Sequence, residues 1–163
     1  MINDAKFNNY GKLERTMTHK EITKRAAKWL KKHSRNVIIP NCSTVAEDLK
    51  TATVTGEIPD VIGWCSWTSV LIEVKVSRSD FLKDSKKPFR KFADMGMGEH
   101  KYYLCPEGLI TENDLPELWG LLWINEKGKI SIQKKAEQHE ANLRCERTVL
   151  LSLHRRAKSS ACT

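Results

Sequence analysis

From Val70 to Ser77 the chain reads Val-Leu-Ile-Glu-Val-Lys-Val-Ser, and this stretch most limits what it can fold into. Val70, Ile72, Val74 and Val76 alternate onto one face, while Leu71, Glu73, Lys75 and Ser77 take the other. So dense a β-branched run reads as a buried strand, yet an acid and a base project side by side from it. Burying a charge in mid-strand is costly unless it is paired or has a task. Residues i and i+2 of a strand stand about 7 Å apart, near enough to line one site. Asp60, after Pro59 on the preceding predicted strand, is close enough in sequence for a hairpin to bring it alongside. Two carboxylates and a lysine at one spot can hold a divalent cation and activate water.

Periodicity orders the rest of the chain around this strand. Ile22, Ala26, Trp29 and Leu30 recur at helical spacing over 19–33, with Thr18 and Glu21 forming a capping box. A first strand is expected around Val37-Ile38-Ile39, continuing after Pro40 toward Val45. The core hairpin joins strands at 58–64 and 70–77 through a turn at Cys65–Ser69. A second helix should begin near Ser77 or Ser79 and run toward Asp94, bent or split by Pro88 and ended by Gly96 and Gly98. His100–Cys105 reads as a strand, and Trp119–Ile124 with Lys129–Gln133 as a hairpin turning at Asn125-Glu126-Lys127-Gly128. A last helix is expected over 137–156, with Leu143, Leu150 and Leu153 on one side and a frayed end beyond it. The division is an irregular arm (1–17), a main domain (18–136) and a C-terminal helix with its tail (137–163).

Pro59-Asp60, a spacer over 61–72, and Glu73-Val74-Lys75 together resemble the PD-(D/E)XK nuclease superfamily. The longer string Glu73-Val74-Lys75-Val76-Ser77-Arg78-Ser79-Asp80-Phe81-Leu82 is similar to a segment of MmcB-like DNA repair proteins, a branch of that superfamily. The resemblance covers roughly 19–106. It implies an α/β fold with an αβββαβ core, a mixed central sheet flanked by helices, and here an added C-terminal hairpin and helix. It also implies metal-dependent hydrolysis of DNA phosphodiesters, with Mg²⁺ or Mn²⁺ as cofactor and a 5′-phosphate and a 3′-hydroxyl as products. Asp60, Glu73 and the Val74 carbonyl would hold the cation, and Lys75 would serve the attacking water. A fourth, acidic position falls on Glu21 or Glu47; the branch resemblance favours Glu47. Glu57 precedes Asp60 closely, but its parity is wrong for a shared strand face.

Arg78, Lys83, Lys86, Lys87 and Arg90 are candidate phosphate contacts, interleaved with Phe89 and Phe92. A solvated helix face would account for any one of them, and Ser79 and Asp80 equally suit a helix cap. Trp67, in the hairpin turn, is the tryptophan best placed to stack on a base; the others read mostly as core.

The 163 residues carry a net charge of +8, which suits a polyanionic partner such as DNA. No run reaches the length of a membrane span and the N-terminus lacks the apolar core of a signal peptide, so a cytoplasmic protein is expected. Five dispersed cysteines without Cys-x-x-Cys spacing argue against a disulfide framework or structural zinc. The leading expectation is a DNA-repair nuclease, as a homodimer or within a larger repair complex. The rivals are a non-catalytic nucleic-acid-binding or complex-forming domain that keeps the fold, an RNA-directed nuclease, and a plain α/β domain in which Glu73–Lys75 is a structural ion pair.

Overall fold

Thr18 opens the first helix, as its spacing to Glu21 predicts. In the computed structural model, which describes residues 17–32, 39 and 41–161, α1 (His19–Lys31) begins at a reciprocal capping box. The Glu21 N–H donates to Thr18 Oγ1 at 3.3 Å, and the Thr18 N–H donates to Glu21 Oε2 at 2.9 Å. Ile22, Ala26 and Leu30 form the buried stripe of the helix. The irregular arm expected over 1–17 and the strand expected around Val37–Ile39 lie outside the described residues, except for Met17 and a buried Ile39.

Six strands then form one sheet in sequence order: β1 (Thr44–Glu47), β2 (Val61–Trp64), β3 (Ser69–Val74), β4 (His100–Pro106), β5 (Gly120–Ile124) and β6 (Ile130–Lys134). β1, β2 and β3 pair antiparallel, β3–β4 and β4–β5 pair parallel, and β5–β6 closes as a hairpin. The parallel step from β3 to β4 needs a long connection. Helices α2 (Arg78–Asp84) and α3 (Pro88–Lys91) supply it. Helix α4 (Leu143–Ala161) ends the described chain.

The alternation read in β3 sorts two cores. Val70, Ile72 and Val74 join Tyr102, Leu104 and Leu122 beneath α1. Leu71 joins Tyr103, Cys105 and Leu121 on the opposite face, under Phe81 of α2 and Cys145 and Val149 of α4. The mixed sheet therefore has helices on both faces, as α/β architecture requires. Gly98, with φ +84°, enters β4 so close to β3 that a Cβ there would lie 2.5 Å from Leu71 Cβ.

Several boundaries differ from expectation. β3 stops at Val74, and Val76 is exposed, because the chain turns into α2 at the Ser77 cap. The helix expected over 77–94 is split. Pro88 cannot donate an N–H to a continuing helix and instead opens α3 at its first turn. The last helix starts at Leu143 rather than 137 and continues to Ala161, beyond the expected 156. Its inward face is Cys145, Glu146 and Val149, with Leu150 and Leu153 alongside, while Leu143 is exposed. No helix among the described residues is long and apolar enough to cross a membrane.

Candidate active site

The antiparallel pairing of β2 with β3 decides where the acids meet. Val61 is opposite Ile72, so the next step of the register puts Asp60 opposite Glu73. Asp60 Oδ2 accepts a hydrogen bond from the Val74 N–H at 2.8 Å and lies 3.3 Å from His19 Nε2, at the start of α1. Glu73 of β3 and Lys75, just past its end, project to the same side toward α2 and α3, and both are buried. Lys75 Nζ stands 3.4 Å from Glu73 Oε2 and 3.5 Å from Asp84 Oδ1. The Lys75 N–H donates to Leu104 O at 2.9 Å, which prolongs the parallel pairing and fixes the lysine's direction.

Arg90 ties this group to a second set of acids. Its Nη2 lies 2.8 Å from Glu73 Oε1, an ion pair outside hydrogen-bonding geometry, so Glu73 Oε1 accepts no hydrogen bond. Its Nε donates to Asp84 Oδ2 at 2.8 Å, and its Nη1 pairs with Glu57 Oε1. Glu57 Oε2 also accepts from the Met97 N–H at 2.6 Å, and Tyr103 donates its hydroxyl to Asp84 Oδ2 at 2.9 Å. The guanidinium lies over the rings of Phe89 and Trp119, at 4.8 and 5.2 Å.

The charges shift one another. Burial, and then the like charge of Glu73, raise the Asp60 carboxyl to about 6. Burial pulls the Lys75 ammonium down, but Glu73, Asp84, Asp60 and Asp80 outweigh it, leaving Lys75 above its ordinary value. Partial burial therefore does not make Lys75 a neutral base. Burial would raise Asp84, yet Arg90 and Lys75 hold it well below the usual carboxylate range.

Asp60, Glu73 and a backbone carbonyl are oxygen donors of the type a hard divalent cation takes, although Glu73 Oε1 already faces Arg90 Nη2. Asp60 and Glu73 are adjacent like charges, and Glu73 Oε1 accepts no hydrogen bond. Magnesium and manganese take oxygen ligands and keep several waters, so two carboxylates and a backbone carbonyl suffice. A cage of three or more His, Cys, Asp or Glu side chains is absent among the described residues. Val74 reaches the site through its N–H; its carbonyl is the group that the resemblance assigns to the cation.

The other expected residues are distributed differently. Glu47 is opposite Val61 and so faces the α1 side of the sheet, exposed and apart from the contacts of Asp60, Glu73 and Lys75. Arg78, expected as a phosphate contact, makes a forked pair with Asp114, including Nη1 to Oδ2 at 2.8 Å. Lys87 is half exposed and holds Asp84 Oδ1 at 2.7 Å. Lys83 and Lys86 are exposed. Arg90 corrects the expected phosphate contact: its side chain is 1% exposed and is occupied by three carboxylates. Ser77 is the α2 cap, accepting from the Asp80 N–H at 3.2 Å. Trp67 is exposed, as expected of the turn, and Trp64 and Trp119 are buried.

Sequence reasoning missed His19, Glu57, Asp84 and the inward Arg90. For Asp84 a signal existed: it follows Phe81 by three residues and shares its buried helix face. Glu57 was set aside on strand parity, which does not apply because β2 begins only at Val61.

No family model matches the chain, and no curated protein matches it. Its fold is similar to a solved structure, the SPO1766 protein of unknown function from Silicibacter pomeroyi. That match has a TM-score of 0.64 and covers 90% of this chain and 93% of that one at 18% identity. At that identity the likeness is one of fold.

Proposed function

We propose that this chain is a metal-dependent nuclease of the PD-(D/E)XK type that hydrolyses DNA phosphodiester bonds. The observation that carries the reading is the convergence of Asp60, Glu73 and Lys75. Asp60 is bonded to the Val74 N–H between the other two, and Lys75 Nζ is 3.4 Å from Glu73. The order helix, three antiparallel strands, helical crossover and parallel strand supports the same reading. When bound, Mg²⁺ or Mn²⁺ supplies charge for the phosphate and acidifies the attacking water. Asp60 and Glu73 hold it; Lys75, kept protonated by its acidic neighbours, stabilises charge on the phosphate oxygens. His19, against Asp60, orients that carboxylate.

One observation favours a second reading, a nucleic-acid-binding domain that keeps the fold without the reaction. The Glu73 and Lys75 side chains are only 4% and 5% exposed, with Arg90 already on Glu73. A cleavage assay separates the two. Supercoiled, linear duplex and single-stranded DNA, with RNA alongside, are incubated with Mg²⁺, Mn²⁺ or EDTA. Metal-dependent cleavage of DNA that falls at least 100-fold in Lys75→Ala and Asp60→Asn is expected. Binding without cleavage under every condition would establish the second reading instead.

A further inference from the structure

The basic residues that the sequence singles out around α2 and α3 are largely engaged by internal acids. Lys83 and Lys86 remain exposed there, and a further set of exposed lysines lies on α1. Lys24, Lys28 and Lys31 recur at i, i+4 and i+7 on α1, so they share one helix face. All three are exposed, and none has an ion-pair partner among the described residues. They line an open cleft of about 490 Å³ with Val45 and Glu47 of β1 and Leu153 of α4. Among the described residues, β1 is the edge strand of the sheet, and the cleft runs beside it.

From this we infer that the α1–β1 cleft is a binding track for the phosphate backbone of duplex DNA, leading away from the Asp60 end of the sheet. The inference rests on the nuclease reading for its substrate. Direction comes from α1 itself: its first residue, His19, is 3.3 Å from the Asp60 carboxylate. At about 1.5 Å of rise per residue, Lys24 stands roughly 8 Å along the helix from His19 and Lys31 roughly 18 Å. A strand whose scissile phosphate lies at Asp60 would round the β1 edge of the sheet to meet the lysines, because Glu47, which lines the cleft, faces the side opposite Glu73. Charge favours this occupant: three lysines stand against one carboxylate, Glu47, which is the repulsive element in the cleft. Contacts of this kind give affinity and register rather than base specificity.

The test uses the full chain and a fluorescein-labelled duplex of about 30 base pairs, in EDTA to prevent cleavage. Anisotropy gives Kd across a salt series. K24A/K28A/K31A is compared with K127A/K129A/K135A, which removes the same charge outside the cleft, around the β5–β6 turn that abuts Arg25 and just past β6. Both should match wild type in far-UV circular dichroism and Tm, since every substituted lysine is exposed. The track predicts a loss of about tenfold or more in the first variant. Its slope of log K against log salt should fall by about 2 to 3, at roughly 0.9 per phosphate contact. The second variant should stay within about twofold. E47Q should bind two- to threefold tighter. Equal losses in the two triple variants, or none in the first while wild type binds, would overturn the track and leave the nuclease reading standing. Wild type that binds no DNA at any salt would overturn the track, while the nuclease reading is decided separately by the cleavage assay with metal.

Discussion

Arg90 Nη2 lies 2.8 Å from Glu73 Oε1. A guanidinium in a helical crossover thus holds the one acid in the middle of a buried strand. The same side chain serves Asp84 and Glu57, so one cation answers three carboxylates. Breaking a buried pair from one side leaves charge unpaired in a poorly solvated place.

Arg90→Met is therefore expected to destabilise the fold by about 3–5 kcal/mol. Urea unfolding at neutral pH measures it. Arg90→Lys should recover only part, because an ammonium cannot fork between separate carboxylates. A midpoint unchanged in Arg90→Met would mean that the three acids do not depend on it.

Glu146 anchors α4 to the sheet. Its carboxylate accepts from Trp64 Nε1 at 2.9 Å and from both Ser69 Oγ and the Gly98 N–H at 2.8 Å. Glu146→Ala leaves buried donors without an acceptor and should cost about 3 kcal/mol, against about 1 kcal/mol for Glu146→Gln, which keeps one oxygen. Thermal melts of the two variants check the order; equal losses would show that volume rather than hydrogen bonding matters there.

Asp60 gives a pH dependence with a definite sign. Its carboxyl lies at about 6 in the fold against an ordinary 3.8. The folded state binds the proton more tightly, so the contribution is complete below about 4 and is lost as pH rises through 6. Relative to Asp60→Asn, wild type should lose stability by about 2 kcal/mol between pH 4 and pH 7. Denaturant titrations at a series of pH values test this, and parallel curves for the two proteins would contradict it.

A cation at Asp60 and Glu73 would reverse that penalty. Mg²⁺ or Mn²⁺ at 100 times its Kd should stabilise wild type by about 2.7 kcal/mol. Asp60→Asn should respond little. Thermal shift with metal against EDTA reads this without any substrate, and identical melting of wild type in both buffers would remove Asp60 and Glu73 as ligands.

Much of the site was legible because β3 follows the two-residue period of a strand. That period put Glu73 and Lys75 on one face and the valines on the other, and the structure keeps the division from Val70 to Lys75. The Thr18–Glu21 capping box and the break at Pro88 were equally local. Parity failed at Glu57, where loop rather than strand carries the side chain inward. The solvated-face reading failed at Arg90, because a four-residue helix after a proline has no face that its spacing can define.

Alternation, capping and turn chemistry depend on neighbours a few residues apart, so the chain by itself determined β3, α1, the β5–β6 hairpin and the pairing of Glu73 with Lys75 on one face. The tertiary structure alone decided that Arg90 answers Glu57, Glu73 and Asp84, that Glu47 stands on the opposite side of the sheet from Glu73, and that the lysines of α1 line an open edge. Those relations join residues far apart in sequence. They arise only when strand order, register and helix placement are set together, by burial of both sheet faces and by the cost of leaving any one charge unpaired.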